Sequence, residues 1–288
     1  METGATPVLR HIANLWTLVG HPTKAREWTL ERKLHAVKEA GFDGFTTQLT
    51  PQHAKLADRL GLMRVGYFAS ANTREFRQLL LSQKECGALH INVQLGDHDT
   101  PAAAALLMAR RLFAEGERLQ LEVAIEVHRD TCTETPEKAY ALADGYQCAA
   151  GELMPMVWDF SHLAVVKHLL APFWPRLGVR PDLIQRAQQF HFRPFNGHHC
   201  QIPVMNERGR LTPEFRDYVP FMERVMDTWL AAAKPGREMI AVPEMGPLWM
   251  GYNLHAFPPS WDQAKVLRKE IEKAWRRIRA RMTCGQSS

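Results

Sequence analysis

Leu121-Glu122-Val123-Ala124-Ile125-Glu126-Val127-His128, followed by Arg129-Asp130 and then by Thr135-Pro136, is the stretch on which the fold turns. A short apolar run that is not cut by polar residues at every second position reads as a strand covered on both faces, as in a parallel sheet. A carboxylate at its end and a hydroxyl before a proline at the next helix start give one strand–loop–helix unit. Working outward, the same unit recurs along the chain. The predicted strands are His11–Val19, Gly44–Gln48, Arg64–Ser70, His90–Leu95, Leu121–His128, Met154–Phe160, Gln189–Pro194 and Met239–Pro243. Helical patterns lie between and after them, at Leu30–Ala40, Pro51–Leu60, Thr73–Cys86, Pro101–Glu115, Pro136–Ala149, Pro181–Ala187, Pro213–Ala233 and Ser260–Met282.

Eight such repeats without hairpin signals predict an α/β fold, a single (β/α)₈ TIM barrel with residues 1–288 as one domain and a core from about 8 to 282. An open doubly wound sheet is the competitor, but the turn after the first strand reads Leu18-Val19-Gly20-His21-Pro22 and lacks the Gly-rich phosphate fingerprint. Thr100-Pro101, Thr135-Pro136 and Thr212-Pro213 are read as helix starts, and Gly41 and Gly87 as left-handed helix ends. Ala171–Pro181 reads as an irregular loop on the catalytic side, and Phe195–Thr212 as a long connection after the seventh strand. The first half-dozen residues and the tail Gly285–Ser288 are expected to be disordered.

The composition supports a globular chain, with 45% hydrophobic and 23% charged residues. Net charge is +5, much of it in Arg276, Arg277, Arg279 and Arg281, which read as a solvated helix face rather than a nucleic-acid surface. Five scattered cysteines without a paired spacing read as reduced thiols. No apolar run of about 18 residues is present, so no membrane span is expected and the protein reads as cytoplasmic. Homo-oligomerisation is left open.

In a barrel of this kind functional groups are expected where strands end. Four consecutive strands there carry Glu126, Asp159, His191 and Glu244 within otherwise apolar runs. A buried carboxylate is costly unless compensated, and three of them with one imidazole suit one divalent cation. The oxygen-rich set favours Mn²⁺, Mg²⁺ or Co²⁺, Mn²⁺ foremost, with Zn²⁺ also possible. Residues two apart on a strand share a face, which points His128 and Arg193 into the same mouth as Glu126 and His191. Arg129 alternates outward unless the strand has ended. The polar, histidine-rich loop Asn196–Gln201 reads as a cover over the site, with a second metal site as the alternative, Gln201 as a hydroxyl contact, and Trp16 and Trp249 as flat apolar walls or as packing.

These residues resemble the xylose isomerase-like TIM-barrel superfamily, the sugar phosphate isomerase/epimerase group in particular. The resemblance covers nearly the whole chain and is carried by Glu126, by Asp159-Phe160-Ser161-His162, by His191 and by Glu244. It implies a metal-dependent isomerase or epimerase acting beside the carbonyl of a ketose or sugar derivative. Glu126 and Glu244 would exchange the proton, and His162 would meet a substrate oxygen or else orient a metal ligand. A lyase or dehydratase acting on an oxidised sugar or glycoside is the alternative. Endonuclease IV-like repair shares the tetrad but draws histidines from its third and fourth strands. Here those strands end in Tyr67-Phe68-Ala69-Ser70 and in Gln94-Leu95-Gly96-Asp97-His98, so nucleic acid is an improbable substrate. A non-catalytic barrel subunit would be expected to have lost ligands, and none of the four is missing.

Overall fold

The computed structural model describes residues 6–285; residues 1–5 and Gln286–Ser288, expected to be disordered, lie outside the described residues. Gly285, assigned to that tail from sequence, instead closes the last helix. Eight strands form a closed barrel: β1 (Val8–Asn14), β2 (Gly44–Thr47), β3 (Met63–Ser70), β4 (His90–Leu95), β5 (Val123–Glu126), β6 (Met156–Trp158), β7 (Gln189–Phe192) and β8 (Glu238–Pro243). All neighbours are parallel, and β8 closes on β1 with Val8 opposite Glu238 and His11 opposite Ala241. The helices are α1 (Leu30–Glu39), α2 (Pro51–Leu60), α3 (Phe76–Glu85), α4 (Ala102–Arg118), α5 (Pro136–Ala150), α6 (Phe160–Val166), α7 (Trp174–Leu177), α8 (Pro181–Arg186), α9 (Pro213–Leu230) and α10 (Ser260–Gly285). None is long and apolar enough to cross a membrane, among the described residues.

Most buried apolar side chains form one cluster that includes Phe45, Phe68 and Trp158 of the strands and Leu112, Trp229 and Ile271 of the helices. A second, small cluster of Ile12, Val65, Ile240 and Val242 is formed by β1, β3 and β8 alone. Strand alternation explains the split. The residues two positions further on, Asn14, Tyr67 and Glu244, line a cavity, so the small cluster is the apolar layer beneath it.

Local chemistry moves several boundaries. The first strand starts earlier than predicted and stops at Asn14, whose side chain accepts from the Trp16 amide and opens a 3₁₀ turn, Leu15–Leu18. The sixth strand was expected over Met154–Phe160 but ends at Trp158, because Asp159 accepts from the Ser161 amide and caps α6. Helix α6 was not foreseen: Phe160 to Ala164 are all buried, so no amphipathic stripe betrays it. Within Ala171–Pro181, read as wholly irregular, Trp174–Leu177 makes one helical turn. Thr135 and Thr212 cap α5 and α9 as expected. Thr100 does not cap α4; its hydroxyl bonds Asp97, and Pro101 occupies the cap position. Gly41 and Gly87 take the left-handed conformation, as expected. Cys86, Cys132, Cys148 and Cys200 are free thiols.

Candidate metal centre

Parallel strands bring their carboxyl ends to one rim, and four of these ends deliver the predicted tetrad. Glu126 closes β5, Asp159 follows β6, His191 sits in β7 and Glu244 follows β8, and all four are buried. One ligand atom from each lies within 4.8 Å of all the others, the one such group of three or more among the described residues.

Each carboxylate has one oxygen tied to the scaffold and one turned inward. Glu126 Oε2 accepts from Asn92 Nδ2 at 2.8 Å and from Gln94 Nε2 at 3.0 Å. Asp159 Oδ1 accepts from the Ser161 hydroxyl at 2.6 Å and the Ser161 amide at 3.0 Å. Glu244 Oε1 faces Arg193 Nη2 at 2.8 Å and accepts from Asn14 Nδ2 at 3.2 Å. On the inner side, His191 Nδ1 lies 2.9 Å from Glu126 Oε1 and 2.6 Å from Glu244 Oε2, as ion-pair contacts without hydrogen-bond alignment. Asp159 Oδ2, Glu244 Oε2 and His191 Nδ1 are buried without a hydrogen-bond partner. Buried acceptors left unbonded and aimed at one another are costly, and a cation among them removes the cost. The residues present fit a divalent ion.

The charge balance agrees. Three carboxylates face one fully buried guanidinium, Arg193, whose Nη2 also lies 3.3 Å from Asp159 Oδ2. With His191 neutral, as a ligand must be, two negative charges remain, the charge of one divalent ion. Without the ion, burial opposes a charge on His191, but Glu244 and Glu126 outweigh it and raise its pKa well above 6.5. Burial likewise opposes the carboxylates, yet His191 holds Glu126 down to about 2, and Arg193 with His191 keeps Glu244 below the usual range. Asp159 is held down in the same way, chiefly by Arg193.

A cavity of about 320 Å³ opens over the tetrad and is lined by Trp16, His128 and Arg193, among others. His128 and His162 pack with ring centroids 4.2 Å apart. Burial, then the neighbouring His162, pulls His128 down to about 4, so it is neutral near pH 7. His162 Nε2 lies 3.2 Å from Asp159 Oδ2 without hydrogen-bond alignment, and neither of its ring nitrogens is bonded. Arg129 is exposed, outside this cavity, with its guanidinium on the Tyr252 ring and its Nη2 donating to the Tyr252 hydroxyl. The Gln201 side chain is fully engaged with backbone: Nε2 donates to the carbonyls of Gly246 and Tyr252, and Oε1 accepts from the Gly246 amide. It thus braces the β8 loop. Trp249 is exposed on that loop, against Gly20.

Sequence reasoning missed Asn14, Asn92, Gln94, Tyr67 and Tyr252. Asn92 and Gln94 stand two apart on β4, a polar alternation inside His90–Leu95 that signals an inward polar face. Tyr67 donates to Gln94 Oε1 at 2.9 Å, which extends the chain of bonds that ends on Glu126. Tyr252 lies in an irregular segment with no pattern to reveal it.

The fold and site together define a (β/α)₈ barrel with a carboxylate–histidine centre able to hold a divalent cation at the carboxyl ends of its strands. No family model and no curated protein matches the sequence. Among solved structures, the D-allulose 3-epimerase of a Methylomonas species, in complex with D-allulose, matches with a TM-score of 0.59 at 12% identity, covering 94% of this chain and 99% of that one. A xylose isomerase-like TIM-barrel protein of Mycobacterium smegmatis, in complex with magnesium, matches at 0.58 and 13% identity, over 94% and 98% of the two chains. The probable 3-DHS dehydratase of petrobactin synthesis from Bacillus anthracis matches at 0.54 and 16% identity, over 91% and 98%. The fold is therefore that of the xylose isomerase-like TIM barrels.

Proposed function

We propose that the chain is a divalent-metal-dependent isomerase or epimerase that moves a proton beside the carbonyl of a ketose or sugar derivative. The observation that carries this reading is the convergence of Glu126, Asp159, His191 and Glu244, the inner atoms of the last three unbonded, beneath a cavity of monosaccharide size. The same four residues would hold the ion, a hard cation with Mn²⁺ foremost. When bound, it would act as a Lewis acid that makes the C–H next to a carbonyl more acidic.

Glu126 and Glu244 stand at the ends of β5 and β8, on different sides of the barrel mouth. Their outer oxygens are fixed, Glu126 Oε2 by two amides and Glu244 Oε1 by Arg193 and Asn14. Each inner oxygen is then positioned to take a proton from one face of the substrate or return it to the other. His128, neutral near pH 7, and the unbonded ring of His162 would meet substrate hydroxyls, and Trp16 supplies an apolar wall. The D-allulose in the Methylomonas structure supports a sugar as substrate.

Elimination from an oxidised sugar or glycoside is the second reading. The free ring nitrogens of His162 favour it, since a proton donor beside the carboxylates suits a departing oxygen. The test is incubation of the Mn²⁺-loaded protein in D₂O with ketoses, keto-glycosides and sugar phosphates. Deuterium at the carbon beside the carbonyl, in a product of unchanged composition, is the expected result. Loss of water or of an aglycone would select elimination. Absence of both exchange and elimination with every member would overturn both readings.

A further inference from the structure

Beyond the chamber over the tetrad lies a second and larger cavity, of about 850 Å³. Tyr252 lines both. Single ligand sites span roughly 300 to 1,000 Å³, so each cavity alone could seat a group of substantial size. Four residues hold Tyr252 between them. The Arg129 guanidinium lies 4.8 Å from the ring centroid and that of Arg193 5.0 Å from it. Trp16 meets the same ring edge-on at 4.9 Å. Gln201 holds its carbonyl at 3.2 Å.

The outer cavity differs in chemistry from the inner one. Ile202, Met205, Leu254 and Phe257 contribute apolar surface, while Arg208 and Arg210 stand among its polar residues. Four of the exposed large apolar side chains, Leu248, Trp249, Met250 and Leu254, fall within one seven-residue stretch of the β8 loop. Met250 lines the inner chamber and Leu254 the outer cavity. Clustered apolar exposure at the mouth of a site signals a ligand that covers it. A free monosaccharide would leave this apolar surface of Met250 and Leu254 uncovered.

We propose that the substrate is a sugar bearing an apolar, aryl-sized substituent, the sugar seated over the tetrad and the substituent in the outer cavity beyond Tyr252. The proposal rests on the reading that the sugar lies over the tetrad, but not on any particular reaction there. The test uses two non-reacting probes, 4-methylumbelliferyl β-D-glucoside and methyl β-D-glucoside, titrated calorimetrically into the Mn²⁺-loaded full chain. Burial of an aryl group predicts binding of the first tighter by about tenfold or more. Leu254→Asp, at a half-exposed position, is expected to bring that ratio down toward about one to two, on the same area argument. Leu107→Asp, on the exposed face of α4, should leave the ratio intact. Equal affinities, no binding of the aryl glucoside, or a ratio untouched by Leu254→Asp would overturn the proposal. Because no turnover is read, an aryl preference with neither solvent exchange nor elimination in any panel member would sink the proposed reactions and leave this site standing.

Discussion

Gln189 Nε2 lies 2.8 Å from Nε2 of His191, on the side of the imidazole turned away from the carboxylates. Both residues belong to β7, two positions apart and on the same face, so the strand itself sets the contact. Gln189 Oε1 is buried and unbonded. Reversal of the amide brings that oxygen to the ring, where it accepts the Nε2 proton and leaves Nδ1 with a free lone pair toward the carboxylates. Gln189→Leu removes the acceptor at similar volume. Mn²⁺ affinity measured by calorimetry is expected to fall by about 10- to 100-fold, the usual cost of losing a partner behind a histidine ligand. Unchanged affinity would show that the ring is oriented by packing alone.

Metal binding must also register in stability. The unbonded inner atoms of Asp159, His191 and Glu244 face one another in the folded chain only. A ligand that binds only the folded state at about 100 times its Kd contributes roughly 2.7 kcal/mol, or about 4–5 °C in Tm for a chain of this size. Mn²⁺ should raise Tm by that amount, EDTA should reverse the rise, and Asp159→Asn should abolish most of it. A thermal-shift titration reads all three, and a full shift in Asp159→Asn would remove Asp159 from the ligand set.

The tetrad was legible because strand ends in a barrel are marked by polarity breaking an apolar run, as in Ile125-Glu126 and Pro243-Glu244. Barrel closure was legible through repetition: one misplaced boundary does not disturb eight units. The second layer was less so. Asn92, Gln94 and Asn14 bond the tetrad from β4 and β1, neighbours fixed by closure rather than by proximity in sequence. Arg193 could be assigned to the mouth from strand alternation, but not its pairing with both Asp159 and Glu244, which depends on side-chain reach. Gln201 reads as a polar loop residue in sequence, and only the fold places Gly246 and Tyr252 around it.

His90 starts β4 with both ring nitrogens buried and unbonded. Burial first, and the charge on His191 second, lower its pKa from 6.5 to about 4. The folded value is thus depressed, and the unfolded chain binds the additional proton between the two values. The stability tied to neutral His90 is present above pH 6.5 and is lost as pH falls toward 4. His90→Leu should therefore flatten the acid limb, losing on the order of 2 kcal/mol less than the parent between pH 7 and pH 5. At pH 8 the variant should be no less stable, since leucine leaves no buried nitrogen without a partner. Urea titrations at the three pH values decide the matter; parallel curves for the two proteins would contradict the assignment.

Gly246 gives the last prediction, since its missing side chain makes room for the partition between the two cavities. A Cβ placed there would lie 2.6 Å from both Cβ and Cγ of Tyr252 and 2.8 Å from a ring carbon of Trp16. Neither ring can retreat freely: Tyr252 is flanked by Arg129 and Arg193, and its carbonyl is held by Gln201. Overpacking at a buried contact costs about 1–3 kcal/mol, so Gly246→Ala should lower stability by that amount in urea denaturation. Tyr252→Gly removes both tyrosine contacts and leaves only the one with Trp16. The double variant should therefore be more stable than the sum of the two single effects, by roughly 0.5–3 kcal/mol, the range seen for residues in contact. Strict additivity would mean that Gly246 is required for some other reason, and that Tyr252 does not owe its place to the space the glycine leaves.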